Sequence, residues 1–158
     1  MGGAGETGRL VAVELDAGSL RPASGITEGD RAAAIRDLLD RNTFVPGGRA
    51  GSFRLRLSIV DRKLALDVAD SAGQPVVRHV LSLTPLARVI KDYFLICDSY
   101  AAALATAPAR IEAIDMGRRG VHNEGAEALR ERLRGKIEVD FETARRLFTL
   151  VCALRPKA

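Results

Sequence analysis

A chain of 158 residues is long enough to bury one hydrophobic core and short for two domains. With 47% hydrophobic and 28% charged residues it is no disordered chain, and no stretch has the length of a membrane span. The net charge of +4 does not segregate: residues 1–107 carry 13 basic and 12 acidic side chains, and residues 108–158 carry 11 and 8. Arginine dominates, since only Lys63, Lys91, Lys136 and Lys157 are lysine. This reads as composition bias in an Ala- and Arg-rich proteome and disfavours a nucleic-acid surface.

Cys97 and Cys152 each fall inside an apolar helical pattern, away from any CxxC or metal-type spacing. Buried thiols of this kind predict a reducing, cytoplasmic setting. Residues 1–8 lack the basic and apolar blocks of a signal peptide, and Glu6 stands where myristoylation needs Ser or Thr. They are expected to form a flexible tail ahead of a single domain over 9–158.

In chain order, residues 9–15 read as a short strand and 16–25 as a loop. A helix is predicted from a Thr27 cap to about residue 42, with Ile35, Leu38 and Leu39 inward. Pro46-Gly47-Gly48 begins a flexible connection. Phe53, Leu55, Leu57 and Ile59 then alternate with Arg54, Arg56 and Ser58, which is the pattern of a half-buried strand. Leu64, Leu66 and Val68 give a second strand, and Val77, His79 and Leu81 a third. Turns at 61–62 and 71–74 pair Leu57 with Leu66 and Leu55 with Val68. That register sets Arg56, Asp67 and Arg78 in one row on the outer face, where opposite charges support the ladder. His79 falls opposite Leu66 on the inner face and reads as a core or rim residue.

From Thr84 the period changes to 3.6. Thr84 as cap and Pro85 at the first helical position start a long helix to about 108. Its inner face is expected to hold Leu86, Ile90, Tyr93, Phe94, Cys97, Tyr100, Ala101 and Leu104. A short helix over 108–116 should stop at Gly117, and another should run over 123–134. Residues 136–139 are extended. Asp140 caps a last helix with Phe141, Ala144, Leu147, Phe148, Val151 and Cys152 in one stripe. The predicted class is α+β: a small antiparallel sheet of about four strands, in the order strand, helix, three strands, under a layer of about four C-terminal helices.

The densest polar chemistry lies at 111–124, read as a helix–loop–helix junction. Asn123 would cap the second helix, with Glu124 in its first turn and Gly120 allowing a bend before it. Free N–H groups there, beside Arg118, Arg119 and His122, are the ingredients of a phosphate or carboxylate site. The plainer structural reading is that Gly117 and Gly120 shape a turn, Asn123 caps it, and the arginines pair with Glu112, Asp115 or Asp140. Asp115, His122 and Glu124 match no metal-ligand spacing, and no Ser or Cys lies close in sequence to His122 as a nucleophile. A helix-turn-helix is disfavoured by Glu127 and Glu131, which would face phosphates.

Five stretches together resemble an uncharacterised bacterial protein family of unknown function. They are Leu-Ser-Leu-Thr-Pro at 81–85, Lys-Asp-Tyr-Phe at 91–94, Ile-Glu-Ala-Ile-Asp-Met-Gly-Arg-Arg-Gly at 111–120, His-Asn-Glu-Gly at 122–125 and Ala-Arg-Arg-Leu-Phe-Thr-Leu at 144–150. The resemblance covers nearly all of the chain from Arg9 and implies kinship, with no activity, cofactor or functional residue to carry over. Arg155-Pro156 departs from the more hydrophobic ending expected of it.

The sequence therefore predicts a small cytoplasmic binding or regulatory module engaging an anionic small molecule or protein partner. Arg118, Arg119, His122, Asn123 and Glu124 are the candidate ligand residues, and no metal or cofactor is implied. One alternative is an enzyme on phosphorylated or carboxylated substrates, with His122 or Asp115 as acid–base near Asp140 or Lys91. Another is a purely structural protein–protein interaction domain.

Overall fold

A computed structural model describes residues 8–20 and 26–154. Strand β1 (Gly8–Leu15) leads through a short 3-10 turn to helix α1 (Glu28–Asp40) and the three-residue strand β2 (Phe44–Pro46). Strands β3 (Gly51–Val60), β4 (Lys63–Asp70) and β5 (Pro75–Leu81) follow as a meander. Helices α2 (Ala87–Thr106), α3 (Ile111–Leu133) and α4 (Phe141–Ala153) complete the chain, with strand β6 (Ile137–Val139) before the last. The class is α+β, as the periodicities predict.

The meander has the expected register. Leu57 pairs with Leu66 and Leu55 with Val68, while Arg56, Asp67 and Arg78 lie in one row and His79 lies opposite Leu66. Asp61 and Arg62 both adopt positive φ, 51° and 67°, as a two-residue hairpin turn matched to strand twist requires. The inner face of the sheet sets Leu55, Leu57, Leu66 and Val68 against Leu38, Leu86, Leu129, Leu147 and Phe148 in one continuous core.

The small antiparallel sheet expected from sequence is mixed, with one parallel pair. The strand order is β1-β3-β4-β5, and β1 runs parallel to β3. Because α1 lies between them, the chain crosses over and re-enters the sheet in its original direction. Gly8, placed in the tail by the sequence, is the first residue of β1 and pairs with Gly51. A second, two-stranded sheet joins β2 to β6, through pairs such as Val45 with Glu138. The rest of the expected tail (1–7), the later part of the 16–25 loop (21–25) and Arg155-Pro156 lie outside the described residues.

Of the four predicted caps, those at Thr27 and Asp140 form. Thr27 accepts from the Asp30 N–H while the Asp30 carboxylate accepts from the Thr27 N–H, and Asp140 accepts from the Thr143 N–H. Thr84 and Pro85 instead open a 3-10 turn, Thr84–Leu86, with α2 starting after it. On α2, Leu104 is 58% exposed and Ala103 is the buried residue, so the inner face expected there is one position off at its end.

The larger correction concerns 111–124. Here α3 is one unbroken helix of 23 residues, so two of the C-terminal helices expected from sequence are one, and there are three after the sheet. Neither Gly117 nor Gly120 takes a positive φ. Asn123 lies in mid-helix and caps nothing. Interior glycines cost a helix about 1 kcal/mol each relative to alanine, so something must offset them. The offset is a buried stripe at helical spacing, His122, Gly125, Ala126, Leu129 and Leu133, together with ion pairs from Asp115 to Arg118 and Arg119. Gly120 faces open space, with nothing within 4 Å of a built Cβ. Gly120→Ala should therefore stabilise the fold by about 0.5–1 kcal/mol in urea unfolding, whereas a real turn there would lose stability on the same change.

Candidate functional site

With the junction gone, the polar residues of α3 meet neighbours that the sequence did not associate with them. Residues on four helices enclose a cleft of about 300 Å³. Asp30 and Asp37 come from α1, Tyr93 and Cys97 from α2, Arg118, Arg119 and His122 from α3, and Arg145, Arg146 and Thr149 from α4. Helical spacing explains the convergence: Arg118 and His122 stand one turn apart on α3, as do Arg145 and Thr149 on α4.

At its floor the His122 ring is buried, 8% exposed, between Tyr93 and Phe148 at centroid distances of 5.3 and 5.6 Å. His122 Nε2 lies 2.8 Å from Thr149 Oγ1. That hydroxyl also lies 3.4 Å from the Arg145 carbonyl. Burial, reinforced by the charges of Arg145, Arg146 and Arg118, pushes the His122 pKa down to about 4. The imidazole is therefore neutral at neutral pH and is no protonation-sensitive donor there.

The arginines differ in what already holds them. Arg118 donates to Asp115 at 2.6 Å and stacks its guanidinium over the Tyr100 ring at 4.2 Å. Arg119 pairs with the same carboxylate at 3.0 Å. The hydrogen bond from Arg118, with the charge of Arg119, holds the Asp115 carboxyl below the usual carboxylate range. Arg145 reaches Glu142 at 3.1 Å through Nη1, but its buried Nε has no hydrogen-bond partner among the described residues. Arg146 makes no ion pair among the described residues. On α2, burial raises the pKa of the Tyr93 hydroxyl and of the Cys97 thiol, so both stay protonated at neutral pH.

Of the five residues singled out from sequence, Arg118, Arg119 and His122 line this cleft. Asn123 and Glu124 are exposed and do not. Asp140 and Lys91 are not part of its wall either. Among the described residues no group of three or more His, Cys, Asp or Glu could hold a metal ion. Arg145 and Arg146, whose facing toward this segment or toward solvent the sequence leaves open, line the cleft, together with Thr149, which it does not single out. A polar i, i+4 pair bordering an otherwise apolar stripe was their signal.

The chain matches the profile of the Uncharacterised protein family (UPF0262) over residues 7–157. It is 56% identical over 149 residues to a UPF0262 protein of Chelativorans sp., covering 92% of each chain. It is 56% identical over 153 residues to one from Azorhizobium caulinodans, covering 94% of each. A UPF0262 protein of Nitrobacter winogradskyi is 54% identical over 151 residues, which is 94% of this chain and 90% of the other. No solved structure gives a significant match.

Proposed function

We propose, for a chain that belongs to the uncharacterised family UPF0262, that the cleft between the four helices binds a small anion. The observation that carries the reading is the pair Arg145–Arg146. Arg146 lines the cleft without an ion pair among the described residues, and the buried Nε of Arg145 is a donor without an acceptor. A guanidinium left this way is stabilised by any carboxylate or phosphate oxygen that reaches it. Arg118 and Arg119 add positive charge while remaining anchored to Asp115. A volume of about 300 Å³ suits a phosphate, a sugar phosphate or a small dicarboxylate rather than a dinucleotide.

Binding is preferred to catalysis because neither candidate acid–base is poised. His122 is neutral down to about pH 4, and Asp115 is committed to two arginines. No described helix is long and apolar enough to cross a membrane. The reading includes a cytoplasmic setting, where Cys97 and Cys152 would remain thiols.

Arg146→Ala is the cleanest test, because that side chain makes no hydrogen bond or ion pair among the described residues. Titration of the purified protein with inorganic phosphate, followed by calorimetry, should give saturable binding that weakens at least about tenfold in Arg146→Ala, with an unchanged unfolding midpoint in ligand-free buffer. Binding equal in the two proteins, or absent from the wild type for phosphate and for small dicarboxylates alike, would sink the reading.

A further inference from the structure

The helices cover one face of the sheet, and the other face carries a pattern that the anion cleft does not use. Across it runs a single row, one residue per strand: Glu14 on β1, Arg56 on β3, Asp67 on β4 and Arg78 on β5. The signs alternate, minus, plus, minus, plus. All four side chains remain accessible, from 36% exposed for Asp67 to 71% for Glu14. Arg56 bonds Glu14 at 3.4 Å and Asp16 at 2.9 Å, and Arg78 lies 3.4 Å from Asp67. On one side the row is bordered by Ala12, Arg54 and Ala69, and on the other by Ser58, Ala65 and Val80, of which Ser58 and Ala65 are buried. A depression of about 780 Å³ lies on one side of the charged row, lined by Arg54, Ala69 and Val76 as well as by the row itself.

An alternating row of four charges has a symmetry property. Two such faces can be stacked about a two-fold axis lying between them in one of two ways. If the axis runs across the strands, every charge meets its own copy, and like charges oppose. If the axis runs along the strands, the row is reversed, so the first position meets the fourth and the second meets the third. Glu14 then opposes an arginine, and so does Asp67. An isologous contact is self-complementary in this way, and its strands stay aligned, as in sheets that ordinarily pack face to face.

We propose that this open face of the sheet associates with a second copy of the chain about a two-fold axis parallel to its strands, setting Glu14 against the partner's Arg78 and Arg56 against the partner's Asp67. Four strands about 4.8 Å apart and about six residues long present roughly 400 Å² in plan. That is small beside the roughly 800 Å² per partner of a stable complex, so the dimer is weak and reversible. Its charges sit at a solvent-accessible contact, so it weakens as salt rises.

Sedimentation velocity over a concentration series at low and high salt reads this directly. The wild type should show a monomer–dimer equilibrium that shifts toward monomer in high salt. Glu14→Arg and Arg78→Glu should each weaken association at least about tenfold, because each sets two like-charged contacts across the axis. An equimolar mixture of the two variants should recover association, since the arginine at 14 in one chain meets the glutamate at 78 in the other and the remaining native pair is intact. Far-ultraviolet circular dichroism confirms that each variant is folded. A wild type that stays monomeric at every concentration overturns the proposal, whatever the variants do. So does a dimer indifferent to both reversals, or a mixture that associates no better than either variant alone.

Discussion

Gly125→Ala is expected to destabilise the fold by about 3 kcal/mol or more, measured as the loss of unfolding free energy in urea. The reason is a contact between α3 and α4 that only a hydrogen atom can fit. A Cβ built at Gly125 falls inside the van der Waals envelope of the Phe148 ring, meeting three of its carbons at once. Phe148 is 0% exposed and is held edge-on by both Tyr93 and His122, so the ring cannot swing aside. The two helices must separate instead, and a close-packed core resists that. Truncating the ring should partly relieve the clash. Gly125→Ala with Phe148→Leu is expected to cost at least about 1 kcal/mol less than the sum of the single changes, a coupling typical of residues in contact. Additive effects would mean that the glycine's role is conformational and that the ring does not set the helix spacing. Gly117 is a milder case, because a Cβ there would meet the flexible end of Ile96 at 2.8 Å.

These glycines also explain why α3 was hard to read from the sequence. Met116-Gly-Arg-Arg-Gly followed by His122-Asn-Glu has the local marks of a helix stop and a helix start: glycines, then a capping residue, then an acid. What overrides them is tertiary, the close approach of Ile96 and Phe148 to Gly117 and Gly125, and no local pattern encodes it. The meander was legible for the opposite reason, since period-two alternation and short turns are local, and they fixed the register down to Arg56, Asp67 and Arg78. Strand β2 was missed because it is three residues ending in proline and pairs with β6, far along the chain. The direction of β1 depends on the crossover through α1, which hydropathy does not report. For the cleft, Arg118, Arg119 and His122 stood out because they are polar residues crowded on one segment. Asn123 and Glu124 were included on capping logic that fails once the helix continues. Arg145 and Arg146 came from another helix, and only the packing of α3 on α4 brings them to His122.

The packing that buries His122 should also make it the main source of pH dependence between neutrality and pH 4. In the unfolded chain its imidazole takes up a proton near pH 6.5, while in the fold it does so only at about 4. Over that interval the unfolded state binds more protons, so stability rises with pH, is complete above about 6.5, and is lost progressively as pH falls toward 4. The full difference is on the order of 3 kcal/mol, large for a protein of this size. The groups around the ring account for the sign. Tyr93, Cys97 and Phe148 desolvate it, and Arg118, Arg145 and Arg146 repel its charged form. Asp30 and Asp37 stand across the cleft on α1 without pairing with it. His79, whose pKa burial also lowers, acts in the same direction, so the comparison must isolate one histidine. His122→Gln can keep a hydrogen bond to Thr149 while removing the titration, and should flatten most of the limb between pH 6.5 and 4.5 in a series of urea unfolding curves. A limb of unchanged height would show that other groups set it. Phosphate adds a second axis to the same experiment. An anion held by Arg146 and Arg145 would offset their repulsion of the imidazolium, so saturating phosphate should raise the His122 pKa and shrink the limb in the wild type. The shrinkage should vanish in Arg146→Ala, because the field that lowers the histidine and the field that would hold the anion come from the same guanidinium groups.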